Sequence, residues 1–296
     1  MQGRLGELRA RGLGVAAISY DPGNVLAAFA RRHGIEYPLL SDPDSETIRR
    51  YNLYNTLVDE ALGPNGSDPE LRKAIRRHVA GGGARPFMKG IAIPCTLVLD
   101  REGRVKARYL EDSYVERPTV SRLLLDPGGG AGAVDSIKIE TSYLTGAVYP
   151  SDLAVTAGNH FAIVARLAPK PGIHVYAPGN TGYKAVALRI APMPGVSLPP
   201  MQFPQAETWF FAPLKETVKV FQQPFTLVQE VIVGNTKEIQ AAMRSGEGLT
   251  LTGELEFQAC DDKECFRPVS IPLSWKIGLR PLVTERPVQK GERSKD

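Results

Sequence analysis

Asp126-Pro-Gly-Gly-Gly-Ala-Gly-Ala133 divides this chain, and the sequence reads differently on its two sides. A run this rich in glycine, with a proline and no large apolar side chain, neither fills a core nor holds a helix. It reads as a flexible linker over residues 126–134. Upstream, short apolar runs alternate with amphipathic stretches. Gly14-Val-Ala-Ala-Ile-Ser19 has the continuous apolar character of a buried parallel strand. Asp21 and Pro22 follow, an acceptor for a helix N-cap and a ring suited to a first turn, and they open a helix that ends near Gly34. A second strand is expected at 37–40, a helix capped by Ser45 at 46–51, and another helix at 69–79. Strands at 96–100 and 105–110 flank a turn, and a last helix covers 118–125. Strands alternating with helices imply an α/β layer fold over residues 1–125.

Downstream the texture changes. Apolar, β-branched runs at 161–167, 185–190, 218–220, 225–233, 249–258 and 271–277 are broken by Pro and Gly, and only 237–244 has helical character. That is the pattern of an all-β sandwich over residues 135–281. Residues 282–296 are polar and charged and read as a solvated tail. No repeat crosses the linker.

Composition narrows the function classes. With 296 residues, 43% of them hydrophobic, the chain can bury two cores. The net charge is only +4 and the Lys and Arg residues are dispersed, which argues against a nucleic-acid surface. No apolar run approaches the roughly 18 residues a membrane helix needs. The first eight residues are charged and lack the apolar core of a signal peptide. Three cysteines are too few for a disulfide-stapled scaffold.

Two of those cysteines stand close together, in Leu255-Glu-Phe-Gln-Ala-Cys-Asp-Asp-Lys-Glu-Cys-Phe-Arg-Pro268. Fully extended, the five steps from Cys260 to Cys265 would span about 16 Å. A disulfide needs Cα atoms about 4.4–6.8 Å apart, so the pair can bond only if the chain reverses between them. Asp-Asp-Lys-Glu is suitable turn chemistry, and such a turn is expected on the surface. A bridge closing so small a ring stabilises by about 2 kcal/mol in the loop-entropy account. That is little for a staple, and it favours a reversible dithiol. A structural disulfide and a zinc half-site remain alternatives, the latter short of two ligands in the neighbouring sequence. Asp261, Asp262 and Glu264 oppose thiolate formation, while Lys263 and Arg267 favour it, so no strongly lowered thiol pKa is expected. The nearby aromatics Tyr176, Tyr183, Trp209, Phe210, Phe211 and Phe266 are candidates to shield the pair, with ordinary core packing as the alternative. His174 reads as a satisfied structural histidine or, alternatively, a proton shuttle.

Two resemblances extend this reading. The segments 14–21, 37–42 and Ile93-Pro-Cys-Thr-Leu-Val-Leu-Asp-Arg-Glu-Gly-Arg-Val105 resemble, in order and spacing, the thioredoxin-fold peroxiredoxins of the AhpC/TSA and redoxin type. That resemblance covers residues 1–125 and implies a cis-proline at Pro94, beside the active site. It also implies a catalytic cysteine on a helix before the 14–19 strand. Residues 1–94 contain no cysteine, so the expectation is that the first strand and that cysteine, with any signal peptide, lie upstream of Met1. Peroxidase activity is then not expected from this chain. Cys95 is a candidate resolving thiol or, alternatively, a small buried residue entering a strand.

The second resemblance runs over about residues 136–278. Gly172-Ile-His-Val-Tyr-Ala-Pro-Gly179, Gly182-Tyr-Lys-Ala185, and the stretch Leu251–Pro268 with both cysteines look like the N-terminal periplasmic domain of DsbD-type thiol:disulfide interchange proteins. It implies an immunoglobulin-like sandwich whose dithiol relays electrons. Cys265 would exchange with the partner and Cys260 would be the resolving sulfur. The four-residue spacer is one shorter than that family's. The implied partners are thioredoxin-fold proteins or the chain's own redoxin-like domain, with a membrane electron donor as a further candidate and nucleic acid excluded. No cofactor and no metal are expected, and the implied location is periplasmic or extracytoplasmic. Three functions follow as expectations: thiol–disulfide exchange, peroxide reduction in a longer protein, and a non-enzymatic binding module with an inert bridge.

Overall fold

The computed structural model describes residues 1–79, 83–111, 113–114, 116–125, 135–201, 203–212 and 214–281. The linker at 126–134 and the tail at 282–296 lie outside the described residues. The chain divides into two compact units, a thioredoxin-like α/β region ending at Glu116 and a β-rich unit from Arg117 to Pro281.

In the first unit α1 (Leu5–Ala10), β1 (Ala17–Ser19), α2 (Gly23–His33), β2 (Leu39–Ser41), α3 (Glu46–Arg50), α4 (Thr56–Leu62) and α5 (Pro69–His78) precede a hairpin of β3 (Cys95–Leu99) and β4 (Val105–Leu110). The helix ends follow local chemistry. Gly34 closes α2 in the left-handed region at φ 60°, a conformation that costs glycine little. Asp68 accepts from the amides of Glu70 and Leu71 at the start of α5, with Pro69 in the first turn. Two caps differ from expectation. Asp21 does not cap α2, whose N-cap is Pro22; its carboxylate accepts from the Ser19 hydroxyl instead. Ser45 occupies the N-cap of α3, but its hydroxyl is spent on the Gly90 carbonyl, 2.8 Å away. Asp42 takes over, accepting from the amides of Thr47 and Ile48. Val58, Ile75 and Ile91 form one buried core cluster of this unit.

β1 pairs with β2 in parallel and β3 with β4 antiparallel, and no ladder joins the two pairs among the described residues. Ile18, Leu40 and Leu99 are exposed on them. Parallel strands are normally covered on both faces, so the β1–β2 ladder carries apolar surface that the described residues leave open.

The expected cis bond at Pro94 is not present. No described peptide bond is cis, and the Ile93–Pro94 bond is trans. Trans is the lower-energy isomer by about 0.5–1 kcal/mol. The flanking backbone is already satisfied in extended form, with the Ile93 amide donating to Leu53 and the Pro94 carbonyl accepting from Glu111.

The second unit comprises β5 (Arg117–Pro118), α6 (Val120–Leu125), β6 (Ile137–Glu140), β7 (Leu144–Pro150), β8 (Ala154–Val155), β9 (Asn159–Pro169), β10 (His174–Tyr176), β11 (Ala187–Ile190), β12 (Val196–Ser197), β13 (Glu207–Phe211), β14 (Glu216–Phe221), β15 (Phe225–Val233), α7 (Lys237–Ser245), β16 (Leu249–Phe257), β17 (Ala259–Cys260) and β18 (Val269–Leu279). They form the expected immunoglobulin-like sandwich, with strands paired in three sheets. One runs β12-β15-β9-β7-β6 with β5 beside β9, a second runs β11-β16-β18-β8, and the third is β13-β14-β10-β17. Alternation builds the core: Phe225, Leu227, Val231 and Val233 of β15 point inward, as do Leu249, Leu251, Leu255 and Phe257 of β16. Each such side chain contributes about 1.5–3 kcal/mol when fully buried.

The division between units falls earlier than residue 125. Arg117 and Pro118 pair in parallel with Asn159 and His160. Thr119 and Ser121 donate to the two oxygens of Asp152. Val120, Leu123 and Leu124 are buried, and Leu125 packs on Tyr149, Ala162 and Val164. The helix expected to end the α/β region therefore covers a face of the β-rich unit. Its apolar stripe announces a helix but does not say which sheet it will bury against.

Candidate redox site

The site is built on the third sheet. Cys260 stands directly opposite His174 and Ala259 opposite Val175 in the β10–β17 pairing. The chain then reverses. The Asp261 side chain accepts from the amides of Lys263 and Glu264, both at 2.8 Å, which folds the four-residue spacer into a turn and holds this carboxyl below its ordinary pKa. The Asp261 amide donates to Glu264 and the Phe266 amide to Ala259. Cys260 and Cys265 face each other as an antiparallel bridge pair. Opposed residues of that kind have Cα atoms about 4.5–5.5 Å apart, inside the disulfide window. The expected reversal is thus present, and both cysteines are free thiols here.

One expectation about the pair needs correction. The turn is at the surface, but Cys260 is 0% exposed, packed in a cluster with Tyr176, Val218 and Val220. Only Cys265 is partly open. The reason is the register: Cys260 still belongs to a sheet strand, and its side chain lies among Tyr176 of β10 and Val218 and Val220 of β14 in the same sheet.

The Tyr176 hydroxyl links the two sulfurs. The Cys260 thiol donates to it at 3.0 Å, and Cys265 Sγ lies 3.2 Å from it. Burial pushes the Cys260 thiol up to about 12, with the adjacent Cys265 sulfur adding to the effect and the Tyr176 hydroxyl opposing it. Burial likewise raises the Tyr176 phenol far above its ordinary value, and the two sulfurs raise it further. The Tyr183 ring stacks on Tyr176 with centroids 4.2 Å apart. Its own hydroxyl donates to Glu216 at 2.6 Å, which pushes the Tyr183 phenol up to about 12.

The other aromatics sort themselves. Trp209 is half-buried against the cluster and lies 3.9 Å, centroid to centroid, from His174. Phe266 stacks on Tyr143 at 4.4 Å and flanks the turn rather than covering the sulfurs. Phe211 is buried and Phe210 is exposed, and neither packs in the cysteine cluster. Sequence reasoning missed Tyr143, Glu216, Val218 and Val220, which come from strands and turns distant in the chain and carry no local signal. Gln258 lay in the quoted motif without a role. Its side chain accepts from the Lys184 amide and donates to the Phe266 carbonyl, tying the turn to the segment that carries Tyr183.

Pro94 and Cys95 belong to the first unit. Pro94 is buried. Cys95 is half-buried at the start of β3, opposite Leu110. Burial raises its thiol pKa, against the pull of the Arg108 guanidinium.

Residues 1–108 match the model of the AhpC/TSA family. Two Mycobacterium tuberculosis proteins named as candidate peroxiredoxins, from strains CDC 1551 / Oshkosh and ATCC 25618 / H37Rv, are each 42% identical over 50 residues. That is 17% of this chain and 32% of theirs, so the chain spans about a third of the curated relatives it matches. Among solved structures, the N-terminal periplasmic domain of ScsB from Proteus mirabilis aligns over 48% of this chain and 51% of its own, at 13% identity and a TM-score of 0.35. The reduced N-terminal domain of DsbD from Neisseria meningitidis aligns over 40% of this chain and 78% of its own, at 12% identity and a TM-score of 0.28. No described helix is long and apolar enough to cross a membrane.

Proposed function

We propose that Cys260 and Cys265 form a thiol–disulfide exchange centre. What supports this most is the asymmetry of the pair: one sulfur open to a partner, the other sealed behind it, and both on a single hydroxyl. In the oxidised form, a thiolate of a partner dithiol attacks Cys265 Sγ. A mixed disulfide forms, the Cys260–Cys265 bond breaks, and Cys260 leaves with the electron pair. A buried thiol pushed up to about 12 takes a proton at neutral pH, supplied by the partner's second thiol or by water, and the Tyr176 hydroxyl, 3.0 Å from Cys260 Sγ, is placed to hydrogen-bond that sulfur while it is charged. The partner's second thiolate then attacks its own mixed-disulfide sulfur, releasing Cys265 and leaving the partner oxidised. Two electrons and two protons have moved. Run backwards, the same steps reduce a partner disulfide, with Cys265 as nucleophile and Cys260 as resolving sulfur. Thioredoxin-fold proteins are the partner class we favour, and an extracytoplasmic setting suits a disulfide that must persist.

The test is a Cys260→Ser variant mixed with an oxidised thioredoxin-fold protein. A covalent adduct through Cys265 should accumulate, and Cys265→Ser should give none. Failure to trap any adduct, with a wild-type potential below about −300 mV and no exchange with dithiol buffers, would overturn the proposal.

The match of residues 1–108 to AhpC/TSA favours a second reading, peroxide reduction by the first unit. Cys95 is the only thiol in that stretch. Peroxidase turnover by this chain that disappears in Cys95→Ser would establish it.

A further inference from the structure

His174 stands apart from the groups used so far. It is 3% exposed, directly opposite Cys260 across the β10–β17 pairing, and on the same sheet face as Tyr176 two residues on. Trp209 lies against its ring and the Tyr176 ring meets it edge-on, at 6.4 Å and 89°. Its Nε2 is buried and has no hydrogen-bond partner among the described residues, so it is not the satisfied structural histidine the sequence suggested. Buried polar atoms are seldom left so. The titratable groups facing it are Tyr176 on its own strand, Cys260 on β17, and Asp261 and Asp262 in the turn, while β13 presents the Trp209 ring.

We propose that His174 is a positioning residue of the dithiol, a pH-sensing prop whose protonation sustains thiolate at the Cys260–Cys265 pair in acid. This rests on the exchange function proposed above. In neutral form the ring stands beside Cys260 on the shared sheet face, with its edge contact to Tyr176 helping to hold the tyrosine that meets Cys260. Burial favours this form, lowering the ring's pKa against the pull of Asp262 and Asp261. When acid does charge the ring, its positive charge lies beside Cys260, which itself stands opposite Cys265, with the Trp209 ring and the two carboxylates to receive it. A cation there favours thiolate at the pair as pH falls.

The experiment reads alkylation of Cys265 by iodoacetamide, assigned by mass spectrometry, from pH 4.5 to 9. It needs no exchange partner, so it stands apart from the trapping test. With neutral surroundings, the rate of a thiol falls tenfold per pH unit below its pKa. Wild type should fall less steeply at the acid end, where the ring takes up its proton below the ordinary histidine value of about 6.5. His174→Phe, which keeps a ring in place, should fall the full tenfold per unit, so that wild type outpaces it by about tenfold at pH 5 relative to pH 8. His174→Gln should behave like His174→Phe and serves if the phenylalanine variant does not fold. Parallel wild-type and variant profiles would overturn the proposal. A displaced pH profile with no mixed disulfide trapped would sink the exchange function and leave the histidine effect standing.

Discussion

Tyr176→Phe removes one oxygen atom and tests the centre of the site. The ring is 0% exposed and stacked on Tyr183, so phenylalanine preserves the packing where alanine would cost about 3–5 kcal/mol. The lost atom is the hydroxyl shared by Cys260 and Cys265 at 3.0 and 3.2 Å. A hydrogen bond to a charged group contributes about 1.5–3 kcal/mol, or roughly 1.1–2.2 decades in the thiolate population at a fixed pH. A more basic thiolate is intrinsically more reactive and recovers a little under half of that loss. The net expectation is an alkylation rate for Cys265 at pH 7 about 4- to 15-fold below wild type. Iodoacetamide trapping with mass-spectrometric assignment measures it, and unchanged near-ultraviolet circular dichroism confirms the fold. A folded variant that reacts as fast as wild type would show that the hydroxyl does not stabilise the thiolate.

Three further outcomes follow from the geometry. Native-state alkylation should label Cys265 and leave Cys260 unlabelled until denaturant is added, because Cys260 is fully buried and its thiol is pushed up to about 12; equal labelling would contradict this burial. The β-rich unit should lose stability as pH falls below about 6.5, because the unfolded chain takes up a proton on His174 at a higher pH than the folded one does. Urea midpoints measured at pH 7.5 and 5.0 should separate less in His174→Phe than in wild type. Gly253→Ala should lower the urea midpoint by the equivalent of about 1–3 kcal/mol, since a methyl group there collides with the Arg189 carbonyl across the β11–β16 pairing. A midpoint within error of wild type would refute that contact.

Periodicity carried much of the fold. The strand spans at 225–233 and 249–258 match β15 and β16 closely because both are long apolar, β-branched runs bounded by turn residues. Short strands without alternation, such as β10 and β17, are specified by their neighbours rather than by their own residues, and these are the strands that hold the site. The caps show the same limit. Ser45 sits at the right position, yet Asp42 does the capping because Gly90, distant in sequence, claims the serine hydroxyl.

By itself the sequence determined the change of texture across 126–134 and the reversal between Cys260 and Cys265. Both are local consequences of composition and of how far five residues can reach. The tertiary structure alone decided that α6 joins the β-rich unit, that Cys260 is sealed while Cys265 stays open, and that the Tyr176 hydroxyl bridges the two sulfurs. Each of these depends on which strand lies beside which and on the face a side chain meets there. Tyr176 and Cys260 are 84 residues apart in the chain, and only the pairing of β10 with β17 makes them neighbours.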